Sequence, residues 1–552
     1  MKKLLAILLT VIMALSFAAC KDDNAQSNDP QSLEGVNINL SDSAITVDDN
    51  KISTDDTQAV YSANDIVFYL AGKDFTYGEG EKRDEHEQSE ADEHTVVHIT
   101  KPGKYVLSGK LSQGQIAVDL GKDAKEDPNA VVTLVLDNVD ITCTVAPAII
   151  FYNVYEPFND VSEDTATKDV DTSTAGANVI IADDSQNNVN GSYVAKIYKS
   201  YELSEDGTEV VDSKKLHKYD AAFYSKMTMN VNGGSKGNGL LNIKAENEGL
   251  DTELHLTING GNINITSGND GINTNEDNIS VTTINGGALN IVCDGSTGEG
   301  DGIDSNGWLV INGGAITSQA CSTSGDAGID SDKGIYINGG KVLATGNMLD
   351  HIAGGDQTYA VFNFVSRQSG NTYVLKKQNG ENVAEYKTSN TFTYLIVSGD
   401  ELSPGDYTFW QGDVQLTATK SQNMQGGMFG GGKPNFGGEP PEMPEGMQRP
   451  DMPSGEFPRG EKPNMPNGAP PEFPNGEMPQ MPEGMTPPEN GDGMIGGNIL
   501  PGGESSTTFT ITEGGNQFSN VSPANQHTTI CVLATFAVMQ EVYFITKGQE
   551  IL

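Results

Sequence analysis

Asn232-Gly233-Gly234, Asn259-Gly260-Gly261, Asn285-Gly286-Gly287, Asn312-Gly313-Gly314 and Asn338-Gly339-Gly340 are one phrase written five times between Met229 and Asp350. The asparagines are separated by 27, 26, 27 and 26 residues. A fixed period of this size is the signature of a stacked repeat. Within a unit, Thr257-Ile258-Asn259 and Asn262-Ile263-Asn264-Ile265-Thr266 alternate polar and apolar residues, which is strand periodicity. Gly-Gly, Gly-Asn and Asn-Asp pairs punctuate the runs as turns do. No window carries the 3.6-residue apolar stripe of a ten-residue helix, which excludes the helical repeats. Three short strands and three turns need roughly 22–28 residues, so each unit reads as one coil of a three-faced β-helix. Coils are expected near residues 131, 178, 229, 256, 282, 309 and 335, about seven in all. Stacked in register, the asparagines would form an amide ladder, and the glycines would supply positive φ at a corner.

The composition narrows the function. The net charge of −43 speaks against a nucleic-acid partner. It would also repel an anionic sugar polymer unless a cation intervened. Five cysteines in 552 residues do not make a disulfide scaffold. Cys293 and Cys321 lie 28 residues apart, near one coil. Their offsets from the preceding asparagine, 8 and 9, differ by one and favour buried free thiols over a bridge.

Along the chain, residues 1–19 read as a secretory signal, two lysines followed by an apolar run. Ala18-Ala19-Cys20 resembles a bacterial lipobox, with Cys20 as the lipid-bearing residue. This implies a membrane partner through the N-terminal lipid and a place on the outer face of the cell membrane. Residues 20–53 are polar and Asp/Asn-rich, and are expected to be a tether. The repeat domain is expected over 54–352, interrupted by a charged, aperiodic insertion at 192–219. His86 and His94 accompany an acidic stretch that reads as a solvated loop.

From Thr95 the strand runs become continuous. The order of Thr95–Asp119 (TVVHITKPGKYVLSGKLSQGQIAVD), Val132–Thr142 (VTLVLDNVDIT) and Ala146–Ile149 (APAI) resembles a family of carbohydrate-binding β-helix domains. These occur in secreted and lipid-anchored bacterial surface proteins and are known from cellulolytic clostridia. The resemblance covers residues 90–425 and 505–521. It implies an all-β, right-handed parallel β-helix resembling polysaccharide lyases, bound calcium, and binding of plant-wall or acidic polysaccharide without demonstrated catalysis.

A second phrase marks where calcium would sit: Glu248-Gly249-Leu250-Asp251, Asp270-Gly271-Ile272-Asn273, Asp301-Gly302-Ile303-Asp304 and Ala327-Gly328-Ile329-Asp330. Leu250, Ile272, Ile303 and Ile329 are expected inside, with Asp251, Asn273, Asp304 and Asp330 pointing to solvent. Rungs lie about 4.8 Å apart and a calcium–oxygen bond is about 2.4 Å, so an ion fits between stacked carboxylates. Asp270, Glu299, Asp301, Asp326 and Asp332 stand close enough to complete its shell. Without a cation, acids at this spacing repel. Acidic turn residues capping backbone N–H groups would give the same pattern. The reading is therefore calcium-assisted polysaccharide capture by a monomer at the cell surface.

Two rivals stay open. One is a calcium-dependent lyase on the same scaffold, which needs Arg or Lys beside the acids. Asn232–Asp350 has no arginine, and Lys333 alone neighbours the acid cluster, beside Asp332. The other is a non-catalytic adhesin. Beyond Asp350 the period stops, and residues 353–421 with 505–521 are expected to form a small antiparallel cap module. There Trp410 is more a packing residue than a sugar platform. Residues 422–504 are Pro/Gly/Glu/Met low complexity and are expected to be a disordered insertion. Residues 522–552 receive no assignment.

Overall fold

The computed structural model describes residues 34–421 and 505–524. The signal, Cys20, the low-complexity stretch and most of the tail lie outside the described residues. The fold is all-β, with strands in a 26-stranded, a 7-stranded and a 2-stranded sheet. Among the described residues, α-helix is confined to the four residues Gln88–Ala91.

Strands one period apart pair in parallel. A first ladder passes from Met229–Gly233 to Leu256–Ile258, Val281–Ile284, Trp308–Ile311 and Gly334–Ile337. A second passes from Leu240–Ala245 to Asn262–Ser267, Ala288–Cys293, Ala315–Gln319 and Lys341–Gly346. A third runs from Thr95–Ile99 through Gly114–Asp119, Ile149–Asn153, Ala221–Ser225 and Glu248–Thr252 to Ile272–Thr274. The period thus puts like residues in register. Leu134, Val179, Val231, Ile258, Ile284, Ile311 and Ile337 stack as one apolar column, each at most 1% exposed.

The five phrase asparagines form a chain of amides. Each donates its Nδ2 to the Oδ1 of the preceding one, at 3.0, 2.8, 2.9 and 2.8 Å from Asn232 to Asn338. The last glycine of the phrase turns the corner at φ +98°, +90°, +90° and +85° for Gly261, Gly287, Gly314 and Gly340.

Three expectations change. Residues 20–53 are not a tether throughout, because Val36–Leu40 pairs in parallel with Gly103–Leu111. Its alternation buries Ile38 and Leu40, so the first ladder begins there rather than at residue 131. The third ladder has no strand after Thr274, and Ile303 joins it by a single bridge to Ile272. Residues 294–300 run there as turns and irregular chain. The insertion is itself ordered, an antiparallel hairpin of Val194–Leu203 and Val210–Tyr219.

A second apolar cluster follows Asp350. Phe392–Ser398 pairs antiparallel with Lys341–Gly346, the last strand of the second ladder. Phe509–Ile511 pairs with Gly405–Gln411, and Gly515–Pro523 pairs with Tyr359–Gln368 and Val414–Lys420. Trp410 is half-buried with the Lys376 ammonium 4.7 Å from its ring centre. Cys143, Cys293 and Cys321 are buried free thiols.

Candidate functional site: two carboxylate columns on the third ladder

The register of the third ladder explains the Gly-Ile-Asp phrase. Leu250 pairs with Ile272 and Asp251 with Asn273, and Ile272 bridges to Ile303. The N–H of Asp304 donates to Ile272, and that of Asp330 to Ile303. Asp251, Asn273, Asp304 and Asp330 are therefore successive members of one column. Three positions earlier in each unit, Glu248, Asp270 and Asp301 make a second. Between the columns stand Gly249, Gly271, Gly302 and Gly328, and a Cβ on Gly271 would sit 2.1 Å from the Cγ2 of Ile291. The glycine is there because a core side chain of the second ladder occupies its side-chain space.

The acids are not on a solvent-facing ridge. Asp251 is fully buried, Glu248, Asp270 and Asn273 are buried, and Asp301, Asp304 and Asp330 are half-buried. The expectation that the residue after the isoleucine meets water is corrected on this point. The insertion hairpin lies against this face. Lys215 pairs with Glu253 at 2.9 Å and Lys218 with Asp220 at 2.6 Å, and the Lys218 charge acts on Glu248 and Asp251.

Burial dominates the electrostatics. It pushes Asp301 up to about 10, with Asp330 and Asp270 adding to the effect. It raises Asp304 to about 8, reinforced by Asp270 and Asp330. Asp270 and Asp330 each rise to about 7. Glu248 and Asp251 are held well above the ordinary carboxylate range, first by burial and then by neighbouring acids. Hydrogen bonding is partial. The Asp301 N–H donates to Asp270 Oδ1 at 2.7 Å, Asn275 Nδ2 to Asp251 Oδ1 at 2.7 Å, and Asn273 Nδ2 to Glu248 Oε1 at 3.3 Å. Glu248 Oε2, Asp251 Oδ2 and Asn273 Oδ1 are buried with no partner. Three orphaned acceptors on neighbouring rungs are the arrangement a hard cation would satisfy.

The expected ligands separate into groups. Asp251 and Asn273 share the orphaned trio with Glu248. Asp270, Asp301, Asp304 and Asp330 continue the two columns. Asp326 turns away, accepting the Gly300 N–H at 2.6 Å and the Ser324 hydroxyl. Glu299 and Asp332 are exposed. Among the described residues, no three acidic, histidine or cysteine side chains converge as a metal-binding group. The trio instead combines two carboxylates with an amide, from Glu248 and Asp251 on one strand and Asn273 on the next. Glu248 was missed as a ligand although it holds the phrase position of Asp270 and Asp301. Asp220 and Asp350, which act on the same columns, fall outside the phrase and carry no repeat signal. His94 is a structural residue, buried, its Nε2 accepting the Thr144 N–H at 3.1 Å.

A solved structure of the polysaccharide lyase-like protein from C. thermocellum, as its gadolinium derivative, is 22% identical. It aligns over 58% of this chain and 98% of that chain with a TM-score of 0.31. A carbohydrate-binding domain-containing protein of Acetivibrio thermocellus is 31% identical over 170 residues, which is 31% of this chain and 44% of that protein. The chain thus spans less than half the length of that relative. A family model described as carbohydrate-binding domain-containing protein matches residues 93–357, and that span contains both carboxylate columns.

Proposed function

We propose that this chain binds polysaccharide without catalysis, as a monomeric, lipid-anchored protein on the outer face of a bacterial cell membrane. One observation carries the reading: the span similar to carbohydrate-binding domains, 93–357, coincides with the stacked ladders. The ladders wind as a right-handed β-helix, the hand that parallel crossovers take. Cys20 carries the lipid. The test of function is retention on insoluble plant-wall and cell-surface polysaccharides, with the full chain run in calcium and again in chelator. No retention on any of them would sink the proposal. Release of unsaturated product from polygalacturonate would replace it with the lyase reading. Loss of membrane association in Cys20→Ser tests the anchor.

Calcium belongs to the same proposal. Glu248, Asp251 and Asn273 would hold it, an all-oxygen donor set suited to a hard cation. When bound, the ion supplies the positive charge that keeps neighbouring carboxylates ionised inside the protein. The burial of these donors favours a structural ion over one bridging to a sugar. Calorimetric titration of chelator-treated protein with Ca²⁺ reads it directly, and absence of heat at millimolar metal excludes it.

A further inference from the structure

The same face carries a second feature, toward the N-terminal end of the third ladder. A cleft of about 310 Å³ opens between that ladder and the insertion hairpin. This is at the small end of ligand-binding clefts, about 300–1,000 Å³, and has room for one ring. Tyr152 and Tyr219 form one wall, edge to face with ring centres 5.5 Å apart. Asp119 accepts from Gly121 N–H and Asn153 Nδ2 through a single oxygen, both at 2.9 Å. Its other oxygen has no donor among the described residues. Asp65, also in the lining, bonds His98 Nε2 at 2.8 Å.

Lys226 is the unusual member. It lines the cleft half-buried and makes no ion pair among the described residues, although the chain carries 76 acids against 33 bases. Its neighbour His217 is held below its ordinary value by burial and by the Lys226 charge, and bonds Tyr219 Oη at 2.6 Å through Nδ1. Lys226 is therefore the one lysine or arginine of the cleft, whose lining also holds the carboxylates of Asp65 and Asp119. An ammonium, aromatic surface and hydroxyl acceptors in one cleft match a sugar bearing an acid group.

We propose that this cleft seats one hexuronate residue of the bound polysaccharide. Its carboxylate lies on Lys226, its hydroxyls donate to Asp119 and Asp65, and its ring lies against Tyr152 and Tyr219. The assignment rests on the polysaccharide-binding reading and gives it a position on the chain. The buried carboxylate columns then need no contact with sugar.

Calorimetric titration of the full chain at fixed calcium tests this, with trigalacturonate and with its carboxyl-reduced, neutral counterpart. Lys226→Met keeps the apolar stem and removes the charge. Leu216→Trp fills the cleft from a side chain 47% exposed, away from the core. Trigalacturonate is expected to bind wild type, about tenfold or more weaker in K226M, and not at all in L216W. The neutral trisaccharide is expected to bind more weakly and to be indifferent to K226M. Wild-type affinity for trigalacturonate in both variants overturns the cleft assignment and leaves polysaccharide binding standing. Equal affinity for the acid and the neutral sugar overturns the role of Lys226. Retention of wild type on insoluble polysaccharide with no affinity for trigalacturonate also overturns the assignment.

Discussion

An acid held away from water keeps its proton unless a positive charge stands beside it. Asp301, Asp304 and Asp330 hold protons in the fold up to about 10, 8 and 7, against an ordinary value of 3.8. The unfolded chain releases those protons first, so the folded state binds more of them between these limits. Stability in chelator is therefore expected to fall as pH rises from about 4 toward 7–10, the direction set by linkage. Thermal unfolding at pH 5 and pH 8 measures it, and calcium should shrink the difference. A melting temperature that rose with pH in chelator would show acids already ionised without a cation. The positions of these acids are legible in the sequence because the phrase repeats. The burial of Glu248 and Asp251 is not, because the hairpin that brings Lys215 and Lys218 to that face is a segment with no periodicity.

Two features of each repeat do separate work. The amide chain from Asn232 to Asn338 ties successive corners together by their side chains. Asn285→Ala breaks two of its bonds, at 2.8 and 2.9 Å, whereas Asn338→Ala breaks the terminal one. At about 0.5–1.5 kcal/mol per hydrogen bond, the interior substitution is expected to cost about twice the terminal one in denaturant unfolding. Gly271→Ala acts on the core instead. Its Cβ meets Ile291 Cγ2 and the Gly302 carbonyl, at 2.1 and 2.6 Å, and overpacking of this kind costs about 1–3 kcal/mol. A G271A protein as stable as wild type would mean the second ladder yields more readily than its packing implies. The asparagine ladder and the glycine corners could be read from the period alone. The missing third strand near Ile303 and Ile329 could not, since both phrases still alternate as strands do. The strand Val36–Leu40 is five residues long, and its Asp/Asn-rich surroundings masked the burial of Ile38 and Leu40.

Among the described residues two large apolar clusters stand beside a small one, and the second large one is built from chain on both sides of residues 422–504. Phe362 stacks on Phe409 and Phe518 with ring centres 4.3 and 5.2 Å away. Phe518→Ala is expected to cost about 3–5 kcal/mol, read as a lower denaturant midpoint for the cap. Its failure to move that midpoint would show that the returning strand is not part of the cap's cooperative unit. Three margins of the ladders share one device. At one end Val36–Leu40 meets the reversed strand Thr46–Val47, and Thr95–Ile99 meets the reversed Val60–Ala63. At the other, Phe392–Ser398 runs against Lys341–Gly346. A pile of near-identical parallel rungs is a template on which another copy could continue, tip to tail, into a fibre. A strand laid in the opposite sense spoils that template, so at these margins a second copy cannot extend the stack in the same parallel register. A chain ending at Gly354 would lose the reversed strand at one end, and light scattering should then report filaments growing with concentration where the intact chain stays dispersed.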